Sequence, residues 1–543
     1  MRALAALLLV FACALAGCVK SGSATGNGRH SWTQPGVLRV SIPEEPKNLN
    51  PLLFGTTSEG FIDRLMFEPL VSADARGNPY PMLAATVPSE ANGGISSDGL
   101  TIVYHLRPNA RWTDGVAVTA RDVLFSWQAI LNPNNDAVSR HGYDDVRAID
   151  TPNAHTAVVH LKARFSPFVN TFFAESDQPY DVVPAHVLAR YPDINHVPFD
   201  AAPTVSDGPF RFVQWRRGDR ILLDANPAFF QGAPGLRHVE VHFVPNEDSA
   251  INLLRTHDID YLFEPTIQTY PVLSGLPDAH IVWVNVNGFE GMEFNISHRV
   301  LADPRVRQAI AAALDKAALT QQLTHGQTTI ATEDLPNWIW AFDPAVRAVP
   351  YDPAAAKRLL AAAGWTPGPD GILQKNGQRL ELLLATDNVT ATHRSESVVV
   401  QQALRNVGIA VEIKYYPIDV LYAPQAMGGV QHGGKFDLLF EPWFSGVDPD
   451  NSSQLTCGSF PPHGYDDSRY CSPAMDAAQA AALDRYDRPS RKAAYSRIEH
   501  LLARDNPMIY FWWQRQQEAI SVDFHGFDPN PVNEAWNAWQ WKI

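Results

Sequence analysis

Residues 98–107 alternate apolar and polar with period two, setting Leu100, Ile102, Tyr104 and Leu106 on one face, and a helix-spaced segment at 119–131 follows. That succession of strand and helix recurs along the chain and restricts its fold more than any other feature. Further strands read at 38–42, 154–161, 211–215, 380–385, 411–416 and 508–512. Further helices read at 61–70, 249–257, 304–314, 353–363, 396–406, 473–484 and 490–504. Several helix starts carry chemical marks. Thr119 stands as an N-cap with Asp122 at the third helical position, and Asp303-Pro304 and Asp352-Pro353 each place a capping acid before a first-turn proline. Such alternation leads to α/β lobes. The pentapeptide His-Gly-Tyr-Asp-Asp occurs at 141–145 and again at 463–467, but the flanks differ and no longer repeat exists.

The chain has 543 residues, 45% of them hydrophobic and 10% aromatic, a composition that excludes disorder and supplies enough apolar surface for a large core. Lys and Arg number 43 against 58 Asp and Glu, giving a formal charge of −15. With no basic run, general nucleic-acid binding is excluded.

The N-terminus reads as an address. Arg2 precedes an apolar stretch at 3–16, shorter than the roughly 20 residues a spanning helix needs. It ends in Leu15-Ala16-Gly17-Cys18, which resembles the box of bacterial lipoproteins. Residues 1–17 are therefore expected to leave as a signal peptide, with Cys18 as the lipidated first residue and 18–35 as a flexible tether rich in Ser, Gly and Asn. Two cysteines then remain in an exported chain, Cys457 and Cys471, and they are expected to form a disulfide. A metal site is the rival, but no CxxC or HxxxH accompanies them.

The stretch Asp98-Gly-Leu-Thr-Ile-Val-Tyr-His-Leu-Arg-Pro-Asn-Ala-Arg-Trp112-Thr-Asp-Gly115, continuing through Ala120-Arg-Asp-Val-Leu-Phe-Ser-Trp127, resembles the extracellular solute-binding proteins, family 5, of peptide ABC importers. Other landmarks follow in order. Asp207-Gly-Pro-Phe210 resembles a family turn, and residues 250–260 match a helix-and-acid motif with His257-Asp258 in place of Gly-Glu. Phe294-Asn295 with Asp303–Ala309, Tyr351–Trp365, and Trp443-Phe-Ser-Gly-Val-Asp448-Pro-Asp450-Asn451 complete the set, and the dipeptide-binding branch carries a Cys pair just after that last loop.

The resemblance implies a two-lobed α/β clamp of the periplasmic-binding-protein type with an inserted subdomain. Lobe I would comprise 36–74, 205–294 and 506–543, interrupted by a subdomain at 75–204, and lobe II would span 295–505. It implies capture of extracytoplasmic peptides for permease subunits and, through them, an ATPase, by a monomer anchored to the membrane and needing no cofactor. The same clamp tuned to a metal chelate, haem, an opine-like compound or a glycan is the alternative; a surface hydrolase is a more distant one. The ligand residues it implies are Thr57, Ser58 and Glu59 after the first strand, Asn295 at the lobe crossover, and Trp443 and Asp448 from lobe II. Asp448 is expected to hold the ligand's α-ammonium, with Asp450 as competitor.

Enzyme motifs fail on their chemistry. Gly429–Lys435 has phosphate-loop spacing, but Phe436 stands where Mg²⁺ needs a hydroxyl, and a strand-like run follows instead of a helix. The chain contains no G-x-S-x-G and no H-E-x-x-H. The acids at 448–451 lack the Gly and terminal Glu of a helix-loop-helix calcium site, so no metal ligands are assigned.

Overall fold

A computed structural model describes residues 29–440 and 442–543. The expected signal peptide, Cys18 and the tether as far as residue 28 lie outside the described residues.

Two long antiparallel strands, Ala279–Phe294 and Met508–Ser521, form a spine. At one end Tyr261–Leu262 pairs with Ile520 and Ala519 and hands the sheet to Val37–Ile42, then to His238–Phe243, Arg220–Ala225 and Phe210–Arg216. At the other end Leu438–Phe440 pairs with Met292, Glu293 and Phe294 and hands it to Glu381–Asp387 and Ala410–Tyr416. Each end buries its own core. Leu38, Val40, Phe61, Tyr261 and Trp541 pack in one; Phe294, Ile310, Leu384, Leu438 and Phe511 pack in the other. The molecule is thus a two-lobed α/β fold whose lobes share the spine.

A separate small sheet orders Thr101–His105, Thr156–Leu161 and Val146–Asn153. Its alternating face is the one the sequence predicts: Ile102, Tyr104 and Leu106 are buried, and Leu100 is half-buried. The helix Ala120–Leu131 starts where expected, and Asp122 accepts the Thr119 backbone N–H at 2.7 Å. Pro304–Ala313 and Pro353–Ala362 likewise start on Asp303 and Asp352, whose side chains cap Arg305 and Ala355 N–H groups.

Two readings need correction. The helix expected at 61–70 is Thr57–Met66, capped by Thr56, whose side chain accepts from the Glu59 N–H. Thr57, Ser58 and Glu59, expected at the ligand, therefore form a helix start. The strand Ala279–Phe294 was not anticipated. Its register shifts between Asn285 and Phe289, and again between Glu290 and Gly291, so its apolar residues lose the period of two. Gly288 marks a close approach there: a Cβ at that position would sit 2.1 Å from the Trp443 carbonyl oxygen.

Candidate functional site

The segment 443–451 leaves the spine and crosses the cleft. Trp443–Phe444 forms a two-residue strand on Phe289 and Gly288, and the Ser445 N–H donates to the Asn287 carbonyl at 2.6 Å. The chain then meets the segment around Glu175. The Val447 N–H donates to the Glu175 carbonyl at 2.9 Å, and a Cβ on Gly446 would lie 2.5 Å from the Ser176 Cα. Only glycine permits that approach.

Beside this contact a cavity of about 330 Å³ opens between Val138, Asp177 and Gln178 on one side and Tyr422, Trp443 and Tyr465 on the other. That volume lies at the lower end of the roughly 300–1,000 Å³ of small-ligand sites. A smaller pocket of about 30 Å³ shares Asp177 and Trp443 with it and adds His141, Asn170, Asp448 and Asp450. Large apolar side chains are exposed here: Val138 55%, Phe444 52% and Tyr465 44%. Water-facing aromatic walls in a cleft, with few charges, suit a ligand with varied apolar parts. Among the described residues around the larger cavity, Asp177 is the one carboxylate, and neither Lys nor Arg is present.

The segment carrying Asp177 is fixed from beneath. Arg64, on the helix Thr57–Met66, is buried and paired with both Asp181 and Glu175, and Ser72 donates to Glu175 at 2.6 Å. Asp177 itself stands exposed on the cleft wall, on the same side of the cleft as His141. His141 faces Asp450 at 3.4 Å across the gap. Burial disfavours its charged form, but the Asp450 hydrogen bond and the charges of Asp450, Asp177 and Asp145 outweigh it and push the imidazole up to about 9. The ring is therefore cationic at neutral pH.

Of the residues the sequence proposed for the ligand, Trp443 lines both cavities. The others are held elsewhere. Glu59 is buried, and its carboxylate accepts the Lys47 and Gly55 backbone N–H groups at 2.7 and 2.8 Å. Ser58 is buried in the same turn, and the Thr57 hydroxyl donates to Glu264 at 2.7 Å. None of the three lines either cavity. Asn295 is buried with its amide donating to the Gly434 and Phe436 carbonyls at 2.9 and 3.0 Å, while its oxygen accepts from Ser297 at 2.6 Å. It stands at the end of the crossover strand but holds a loop of lobe II.

Asp448 reaches the smaller pocket, yet its carboxylate is forked onto Arg491, at 2.6 and 2.8 Å, and accepts from Asn170 at 3.3 Å. The expected ammonium partner is an internal ion-pair residue. The rest of the loop is tied in the same way: Asp450 accepts the Ser452 N–H at 3.0 Å, and Asn451 joins Asp334 at 2.7 Å and Gln479 at 2.6 Å. Just beyond it, Cys457 and Cys471 are joined in a disulfide with Cα atoms 4.5 Å apart.

Sequence reasoning missed Asp177, His141 and Tyr465, which sit in irregular segments. The one available signal was the repeated pentapeptide, since its first copy supplies His141 and its second Tyr465, from opposite sides of the cleft.

The family model for bacterial extracellular solute-binding proteins, family 5, matches residues 78–462. The oligopeptide-binding protein AppA of Bacillus subtilis (strain 168) is 25% identical over 551 residues, covering 99% of this chain and 97% of its own. The structure of the Bacillus subtilis AppA protein in complex with a nonapeptide superposes with a TM-score of 0.77 at 23% identity, over 94% of this chain and 99% of that one. NikZ from Campylobacter jejuni, in complex with Ni(L-His), gives 0.79 at 22% identity, over 94% and 100%. The cleft between two lobes and the match across most of the sequence have one reading: the chain belongs to the bacterial extracellular solute-binding proteins, family 5.

Proposed function

We propose that this protein is the peptide receptor of an ABC importer. It captures extracytoplasmic peptides between its lobes, delivers them to permease subunits, and catalyses no reaction. The observation that carries the reading is the cavity of about 330 Å³ walled by Trp443, Tyr422 and Tyr465, with Asp177 as its carboxylate. Aromatic faces accept many side chains, whereas the common feature of peptides, a free α-ammonium, needs one anion. The binding names borne by its relatives support the same reading. Closing the lobes on a ligand requires that the ligand bind the closed form better, and contacts such as His141 to Asp450 are present only when the two sides meet.

Mass spectrometry of the protein purified without denaturation is the direct test. A mixture of bound peptides is the expected result; a bound chelate, haem, opine or glycan in their place would overturn the peptide assignment. A lipid anchor is also proposed, on the Leu15–Cys18 box. Cys18→Ser should release the protein from the membrane fraction on cell fractionation, and an unchanged membrane-bound share would refute the anchor.

A further inference from the structure

We infer that Glu290, His393 and Glu396 form a site for a divalent transition-metal ion of the Zn²⁺ type, tying the interlobe spine to a lobe II helix. One ligand atom from each residue lies within 4.8 Å of the other two, and all three residues are buried. Glu290 comes from the spine strand Ala279–Phe294, at its second register shift. His393 and Glu396 lie on the helix Ala391–Asn406, three positions apart and so on one face.

Glu396 is the independent pointer to a cation. It is 0% exposed, and among the described residues neither of its carboxylate oxygens has a hydrogen-bond partner. A buried carboxylate without a hydrogen-bond partner is costly, and a metal ion would supply the direct contact that the neighbouring His393 and Glu290 do not make. His393 is arranged as a metal-ligating imidazole usually is. Its Nδ1 is 2.5 Å from Asp387 Oδ2, which fixes the ring and leaves Nε2 facing Glu290 Oε1 at 3.5 Å. Two donors each about 2.1 Å from a tetrahedral ion stand about 3.4 Å apart, so that pair needs almost no movement. Glu290 is steadied in turn by Gln514, which donates to its other oxygen at 3.3 Å.

One imidazole with two carboxylates suits zinc and its neighbours better than calcium or magnesium, which take oxygen donors alone. None of the three residues lines the ligand cavities, so the ion would be resident and not cargo.

The test strips the purified protein with a chelator, adds ZnCl₂, removes free metal by gel filtration and measures retained zinc. The expected result is one equivalent per chain and a rise in melting temperature of about 3 °C or more. Glu396→Gln keeps the shape and should weaken zinc about 100-fold or more, while Asp387→Asn, which changes the group behind His393 but keeps an oxygen for the Val389 and Thr390 N–H groups, should weaken it about 10–100-fold. Anomalous diffraction at the zinc edge on wild-type crystals does not depend on either variant folding, and should place one peak among the three side chains. A peak elsewhere, retention of under about a tenth of an equivalent, or undiminished zinc in a folded Glu396→Gln protein would overturn the site.

Discussion

Asp448→Asn is expected to destabilise the protein by about 3–5 kcal/mol, a large share of the roughly 5–15 kcal/mol that holds a typical fold. Arg491 and Asp448 are both buried, and the guanidinium spends its hydrogens inside the protein: two on Asp448, one on the Ala482 carbonyl at 3.1 Å and one toward the Tyr495 hydroxyl at 3.2 Å. Burial works against the guanidinium charge, but the Asp448 charge and hydrogen bonds outweigh it and hold its pKa above the usual value. Asparagine keeps the shape but removes the countercharge, leaving a buried cation unpaired. Urea unfolding of the wild type, Asp448→Asn, Arg491→Met and the double variant measures this. The double variant should be more stable than Asp448→Asn alone, because it removes the orphaned charge along with its partner. Unchanged stability in Asp448→Asn, joined to a loss of about 30-fold in peptide affinity, would instead return Asp448 to the ligand.

That pair shows where sequence reading stops. The acid cluster at 448–451 was legible as a landmark, and its place between the lobes followed. Its partner was not, because Arg491 lies on the helix Arg488–Asp505, and nothing local couples an acid in a turn to an arginine 43 positions away. The same divide runs through the fold. Helices announced by capping acids and first-turn prolines, such as Pro304–Ala313 and Pro353–Ala362, start where Asp303 and Asp352 say they should, since caps are local chemistry. The start of the helix Thr57–Met66 is missed because Glu59, which has capping-pair spacing from Thr56, is read as a ligand group. The spine strand Ala279–Phe294 was hidden by its own bulges, which serve the crossing between lobes and erase the alternation that reveals a strand. Asp177 had no pattern at all. Its position is set by Arg64 holding Glu175 and Asp181 on either side, contacts that span more than a hundred residues.

Asp177→Asn should weaken binding of peptides that carry a free α-ammonium by about 30-fold or more, since losing one partner of a desolvated charge pair costs about 2–5 kcal/mol and about 1.4 kcal/mol is tenfold. The local charges favour that partner: Asp177, Asp450 and Asp145 all act on one cationic His141, so an ammonium reduces the excess negative charge. N-acetylated peptides lack that charge, should bind the wild type weakly, and should lose little more in the variant. The pH dependence has a definite sign. Asp177 stands exposed on the cleft wall, only its ionised carboxylate pairs with the ammonium, and so affinity should fall on acidification as that carboxylate takes up its proton. In Asp177→Asn that acid-side loss should vanish. Trp443→Ala offers the contrast: it removes aromatic wall from both cavities, and should weaken free and acetylated peptides alike. Calorimetry with both peptide forms on the three proteins separates the two roles. Equal losses for free and acetylated peptides in Asp177→Asn would mean that the carboxylate shapes the cleft and does not hold the ligand's amine.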